Sequence, residues 1–124
     1  MTKTVTIDGR VVTFRATAAV PRLYRMKFGR DIMQDMRDIK RAVERAKGHK
    51  ETIPVKMLEV FENVAFLMAR HADPEMREKT VEDWLDTFET FSIYQIFPVI
   101  EELWRQNLYT AVEAKKKHAK LSGK

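Results

Sequence analysis

With 124 residues and 44% hydrophobic content, the chain holds enough apolar side chains for one core and falls short of two independent domains. Zero cysteines exclude disulfides, thiolate metal sites and cysteine nucleophiles, in agreement with a reducing compartment. The net charge of +5 is unevenly spread: residues 1–50 hold 13 Lys/Arg against 5 Asp/Glu, residues 51–113 hold 5 against 13, and residues 114–124 hold 5 against none.

A basic half beside an acidic half attracts within one fold, the simpler reading, or between copies stacked head to tail. A nucleic-acid module more often carries its positive charge unbalanced on one surface. The first residues, MTKTVTIDG, alternate polar and apolar without the apolar core of a secretory signal. No span reaches the roughly 18 uninterrupted apolar residues of a membrane helix. The expectation is a cytoplasmic protein with no membrane partner.

Residues 4–14, TVTIDGRVVTF, alternate around Asp8-Gly9, a dipeptide suited to a type I′ turn because both positions accept positive φ. Pairing Ile7 with Arg10 sets Val5 opposite Val12. Val5, Ile7, Val12 and Phe14 then share one face, and Thr4, Thr6 and Thr13 the other. A two-stranded hairpin is marginal alone, so the apolar face requires a helical cover.

Pro21 suits a first helical turn, with Thr17 or a neighbour as cap. Leu23 and Met26 define one direction, whereas Ile32, Met36, Ile39 and Val43 form a stripe nearly opposite. One straight helix cannot bury both sets. The pattern therefore predicts a short helix, a break at Phe28-Gly29, and a second helix over 31–46, closed by a basic loop with Gly48 as its C-terminal cap.

Residues 57–69, MLEVFENVAFLMA, carry a main stripe of Met57, Leu58, Phe61, Val64, Ala65 and Met68, with Phe66 on the opposite side. A helix apolar on two sides is central in the simpler reading. In the alternative, Val60, Phe66 and Leu67 form a surface that another protein covers. Asp73-Pro74 stops this helix, and Thr80 with Asp83 resembles a capping box. Val81, Trp84, Leu85, Phe88 and Phe91 follow as a narrow stripe backed by Glu82, Asp83, Asp86 and Glu89, a solvated acidic face. Ser92 caps a last helix with the stripe Ile93, Ile96, Phe97, Ile100, Leu103, Trp104 and Leu108. Pro98 kinks that helix or makes it begin anew near Phe97. Tyr94, Val99 and Tyr109 lie off the stripe and join Val60, Phe66 and Leu67 as candidate partner-binding residues. The fold class is therefore α+β, mostly α: an N-terminal β-hairpin on a bundle of about four to five helices. It forms one domain over 1–113, followed by a basic tail over 114–124 whose like charges predict disorder.

No catalytic constellation emerges. Ser92 reads as a helix cap, and Ser122 lies in the tail. His49, His71 and His118 are scattered without metal-ligand spacing and read as surface histidines. The glycines stand singly, so no phosphate loop is present. Asp31, Asp35 and Asp38 share a helix face that three carboxylates would offer to a divalent cation, but interleaved Arg30, Arg37 and Arg41 favour ordinary ion pairing. The expectation is a non-enzyme without catalytic residues, cofactor or metal.

The segment 21–31, PRLYRMKFGRD, together with Ile96-Phe97-Pro98 and Glu102-Leu103-Trp104, resembles the small tail assembly chaperones of long-tailed bacteriophages and prophages of Gram-positive bacteria. The resemblance spans most of the chain. These motifs are short and structural rather than catalytic. The resemblance implies a protein in the cytoplasm of the bacterial host that coats the long, poorly soluble tape measure protein and brings tail tube subunits to it. It also implies the shorter product of a frameshifted pair, for which Lys115-Lys116-Lys117 would correspond to an adenine-rich slippery run. The alternative class is a small nucleic-acid-binding regulator using the basic segment 22–50 and the lysine tail. No clear helix-turn-helix pattern supports it, and Asp31, Asp35 and Asp38 would face phosphates.

Overall fold

The computed structural model describes residues 1–49 and 51–122, and side chains over 1–48 and 51–108. Strands β1 (Thr2–Ile7) and β2 (Arg10–Arg15) pair antiparallel in the expected register, Ile7 opposite Arg10 and Val5 opposite Val12. Asp8 and Gly9 take positive φ of 52° and 74°, as the two-residue turn requires. The two strands point Ile7, Val12 and Phe14 into the core and the threonines outward. The cover is supplied by two helices, α3 (Val55–Ala72) against β2 and α5 (Ile93–Ser122) against β1.

Helix α1 (Val20–Phe28) begins with Pro21 in its first turn and stops at Gly29, whose left-handed φ of 67° lets its amide donate to the Arg25 carbonyl. Its N-cap is Ala19, without a side-chain bond; the Thr17 hydroxyl instead accepts from the Ala19 amide one residue earlier. Helix α2 (Ile32–His49) buries the predicted Ile32, Met36, Ile39 and Val43. Gly48 does not end it. That glycine lies within the last turn without positive φ, and the helix-forming run 40–47 carries the backbone past it.

Helix α3 occupies the middle, touching β2, α1, α2, α4 and α5. It stops at Asp73, and a short α4 (Val81–Leu85) starts on the Thr80 hydroxyl, which accepts from the Asp83 amide at 3.1 Å. The stripe expected to continue to Phe91 leaves the helix at Leu85. The Thr87 hydroxyl donates to the Trp84 carbonyl at 2.6 Å, the Thr87 and Phe88 amides turn back onto carbonyls three residues earlier, and Asp8 accepts the Glu89 and Thr90 amides. Phe88 and Phe91 nonetheless pack as a helix would place them. Trp84, Phe88 and Phe91 lie mutually within 5.1–5.4 Å, ring centre to ring centre, and Phe61 and Phe66 join them from α3.

Pro98 neither ends nor restarts α5, which is one helix through it. The carbonyl of Tyr94 loses a donor there, but Ile93 and Ile96 before the proline and Ile100 and Leu103 after it are buried in one core, and that packing holds the helix together. Helix α5 runs on through residues 114–122. Ala, Glu and Lys are good helix formers, so backbone preference extends the helix despite the like charges. Among the described residues, the architecture is thus an N-terminal hairpin on five helices, α+β and mostly α. Among the described residues, no helix is long and apolar enough to cross a membrane.

Candidate partner-binding groove

The distinctive segment 21–31 is built around a polar lock. The Tyr24 hydroxyl donates to Asp35 Oδ2 at 2.6 Å, and the Arg30 guanidinium grips both Asp35 oxygens at 2.8 Å. Asp35 is 2% exposed, the one buried charged residue among the described residues. Burial alone would push its carboxyl up, but Arg30 and Tyr24 outweigh that and hold it below the ordinary value. Burial and the neighbouring Asp35 raise the Tyr24 hydroxyl, and Asp35 raises Arg30, so the three groups stay carboxylate, neutral phenol and guanidinium. The lock ties α1 across Gly29 to α2, and the Tyr24 ring stacks on Phe28 at 5.1 Å.

The same lock resolves the aspartate row as a fold element. Asp31 accepts from the Met33 amide and Asp38 from Gln34, while Asp35 is occupied by Tyr24 and Arg30. Among the described residues, no group of three His, Cys, Asp or Glu side chains is placed to hold a metal.

Fixing Tyr24 inward fixes the rest of α1. Val20 and Tyr24 are buried and Phe28 half-buried, which turns Leu23 and Met26 out of the core, 37% and 75% exposed. They line a groove of about 510 Å³ between α1 and α3, together with Lys27, Phe66, Leu67, Arg70, His71 and Pro74. Its floor is apolar and its walls are basic. The Lys27 ammonium lies 5.6 Å from the Phe66 ring centre. Arg70 donates to the Glu78 carbonyl at 2.9 Å. His71 Nε2 and the Thr17 hydroxyl form a 2.8 Å hydrogen bond; burial, Arg15 and the chain's N-terminal ammonium lower the imidazole's pKa. Among the described residues, no carboxylate lines the groove.

Of the residues singled out from sequence, Phe66 and Leu67 line the groove and the others fall elsewhere. Val60 and Phe66 are buried on α3, Phe66 completely, and Leu67 is buried at the groove floor. They belong to the core because α3 has neighbours on both sides, so they do not form a free-standing surface. Tyr94 is exposed and Val99 half-buried, and five residues on one helix set them about 140° apart, so they do not make one patch. The Lys47 ammonium stands 5.9 Å from the Tyr94 ring centre. The Tyr109 side chain lies outside the described residues.

Leu23 and Met26 were visible in the sequence, but as a core direction. The signal that would have reversed the assignment is the i, i+4, i+8 series Val20, Tyr24, Phe28. It is bulkier than the Leu23 and Met26 pair. The two charge halves do meet within the fold, through Lys3 to Glu102 at 3.2 Å and Lys40 to Glu101 at 3.8 Å. No family model, curated protein or solved structure matches the chain, so the functional reading rests on its own residues.

Proposed function

We propose that the chain is a phage tail assembly chaperone, a non-catalytic protein of the host cytoplasm that binds the tape measure protein and helps recruit tail tube subunits. The observation that carries this reading is the apolar groove exposing Leu23 and Met26, because it lies in the segment, 21–31, on which the resemblance rests. A shallow apolar trough between two helices suits helix-in-groove recognition, and methionine at its rim adapts to varied side chains. A long helical client would be shielded by many copies, each holding weakly enough to be displaced by tube subunits. The charged halves would also let copies array head to tail, an association that weakens from about 0.05 to 0.5 M salt if electrostatic.

Co-expression with the tape measure protein tests the proposal. The expected result is a larger soluble fraction of tape measure protein and a multi-copy complex by size-exclusion chromatography with light scattering. No rescue and no co-elution, with both proteins expressed, would overturn it. Duplex DNA binding that falls steeply with salt would replace it with the nucleic-acid reading.

A further inference from the structure

We propose that the groove between α1 and α3 receives an acidic amphipathic helix of a partner protein. This deepens the chaperone reading and rests on it. The occupant's apolar stripe would lie on Leu23, Met26, Leu67 and Pro74, and its flanking carboxylates would face Lys27 and Arg70.

Three observations specify that chemistry. The apolar lining is partly open, with Met26 the most exposed large apolar side chain among the described residues. Among the described residues, the charged side chains that line it have one sign, Lys27 from α1 and Arg70 from α3. Two walls are held in place, Arg70 by the Glu78 carbonyl and His71 by Thr17, so little ordering is lost when a partner docks. A basic helix would be repelled there, and an uncharged one would gain nothing from the two cations. Nine residues of α1 extend about 13 Å, which matches two to three turns of an occupant. The chain's own acidic element, α4, cannot supply that stripe, because its Trp84 is buried in its own core.

The test uses the full chain and two labelled 18-residue designed peptides. Both carry leucine at i, i+3, i+4 and i+7 spacing; one has glutamate and the other lysine at the flanking positions. Fluorescence anisotropy should show the glutamate peptide binding at least ~10-fold more tightly than the lysine peptide at low salt. Met26→Ser should weaken it at least ~5-fold, and Lys27→Glu should reverse the preference. Because both side chains are exposed, the variants should keep the parent's thermal melting, which is measured alongside. Equal binding of the two peptides, no binding of either, or binding indifferent to Met26→Ser would overturn the inference. So would Met26-dependent binding of anionic lipid vesicles or Met26-dependent self-association in the absence of peptide. Peptide failure with tape measure rescue intact would remove the docking inference alone. Peptide binding without rescue would instead remove the chaperone reading.

Discussion

Helices α1 and α3 each carry apolar side chains in two directions, yet α3 buries both and α1 buries one. Phe61 and Phe66 point to different sides of α3, and both are covered, since strands, helices and the aromatic cluster surround that helix. α1 is half as long and touches only α2 and α3 among its principal neighbours. Tyr24, drawn inward to Asp35, leaves Leu23 and Met26 on the open side. Periodicity thus states that a helix has two apolar directions; the number of neighbours decides how many are covered.

Substitutions at four positions break or sharpen that contrast. Phe66→Ala should be the most damaging, costing about 3–5 kcal/mol in urea unfolding, because it empties a fully buried site shared with Trp84. A cost near that of a surface change would mean that α3 is not closed on that side.

Asp35→Ala should cost about 2–3 kcal/mol, leaving the Tyr24 hydroxyl and half-exposed Arg30 without their acceptor. The lock also predicts a pH dependence. The Asp35 carboxyl is lowered from 3.8 in the folded state, so its stabilisation is fully present above that value and lost as pH falls through the folded pKa. Asp35→Asn should remove this part of the acid-unfolding curve; an unchanged curve would refute the ionised lock.

Gly29→Ala should cost about 1 kcal/mol from positive φ alone, since the space around its Cα is open. Thermal melting of that variant separates backbone strain from lost packing. Met26→Ser should change stability by less than about 0.5 kcal/mol, the usual size at an exposed site. A large loss of melting temperature there would place Met26 in the core and erase the contrast with Phe66.

Several elements were legible before any coordinates because a local pattern decides them. Asp8-Gly9 determines the turn and with it the register of every strand pair. Ile32, Met36, Ile39 and Val43 repeat at helical spacing over one neighbour, and Thr80 with Asp83 caps locally. What was missed depends on residues far apart in sequence. The alternation at 81–91 looks helical, but Asp8 takes the amides of Glu89 and Thr90 and the helix stops early. Asp35 reads as one carboxylate in a surface row until Tyr24, eleven residues earlier, is found donating to it. The groove was hidden for the same reason, since its floor comes from α3 and its rim from α1.

The hairpin tip has a consequence for the order in which the protein can be made. Asp8 bonds to residues 81 and 82 positions later, Gln95 donates to the Thr6 carbonyl, and Lys3 pairs with Glu102. Strand β1 therefore waits for α5, whereas β2 is covered by α3 earlier in the chain. Until α3 is made, the apolar face of Ile7, Val12 and Phe14 has only a marginal two-stranded unit behind it. A chain truncated before α5 would leave β1 without its helical cover, an open, adhesive fragment rather than a smaller version of the protein.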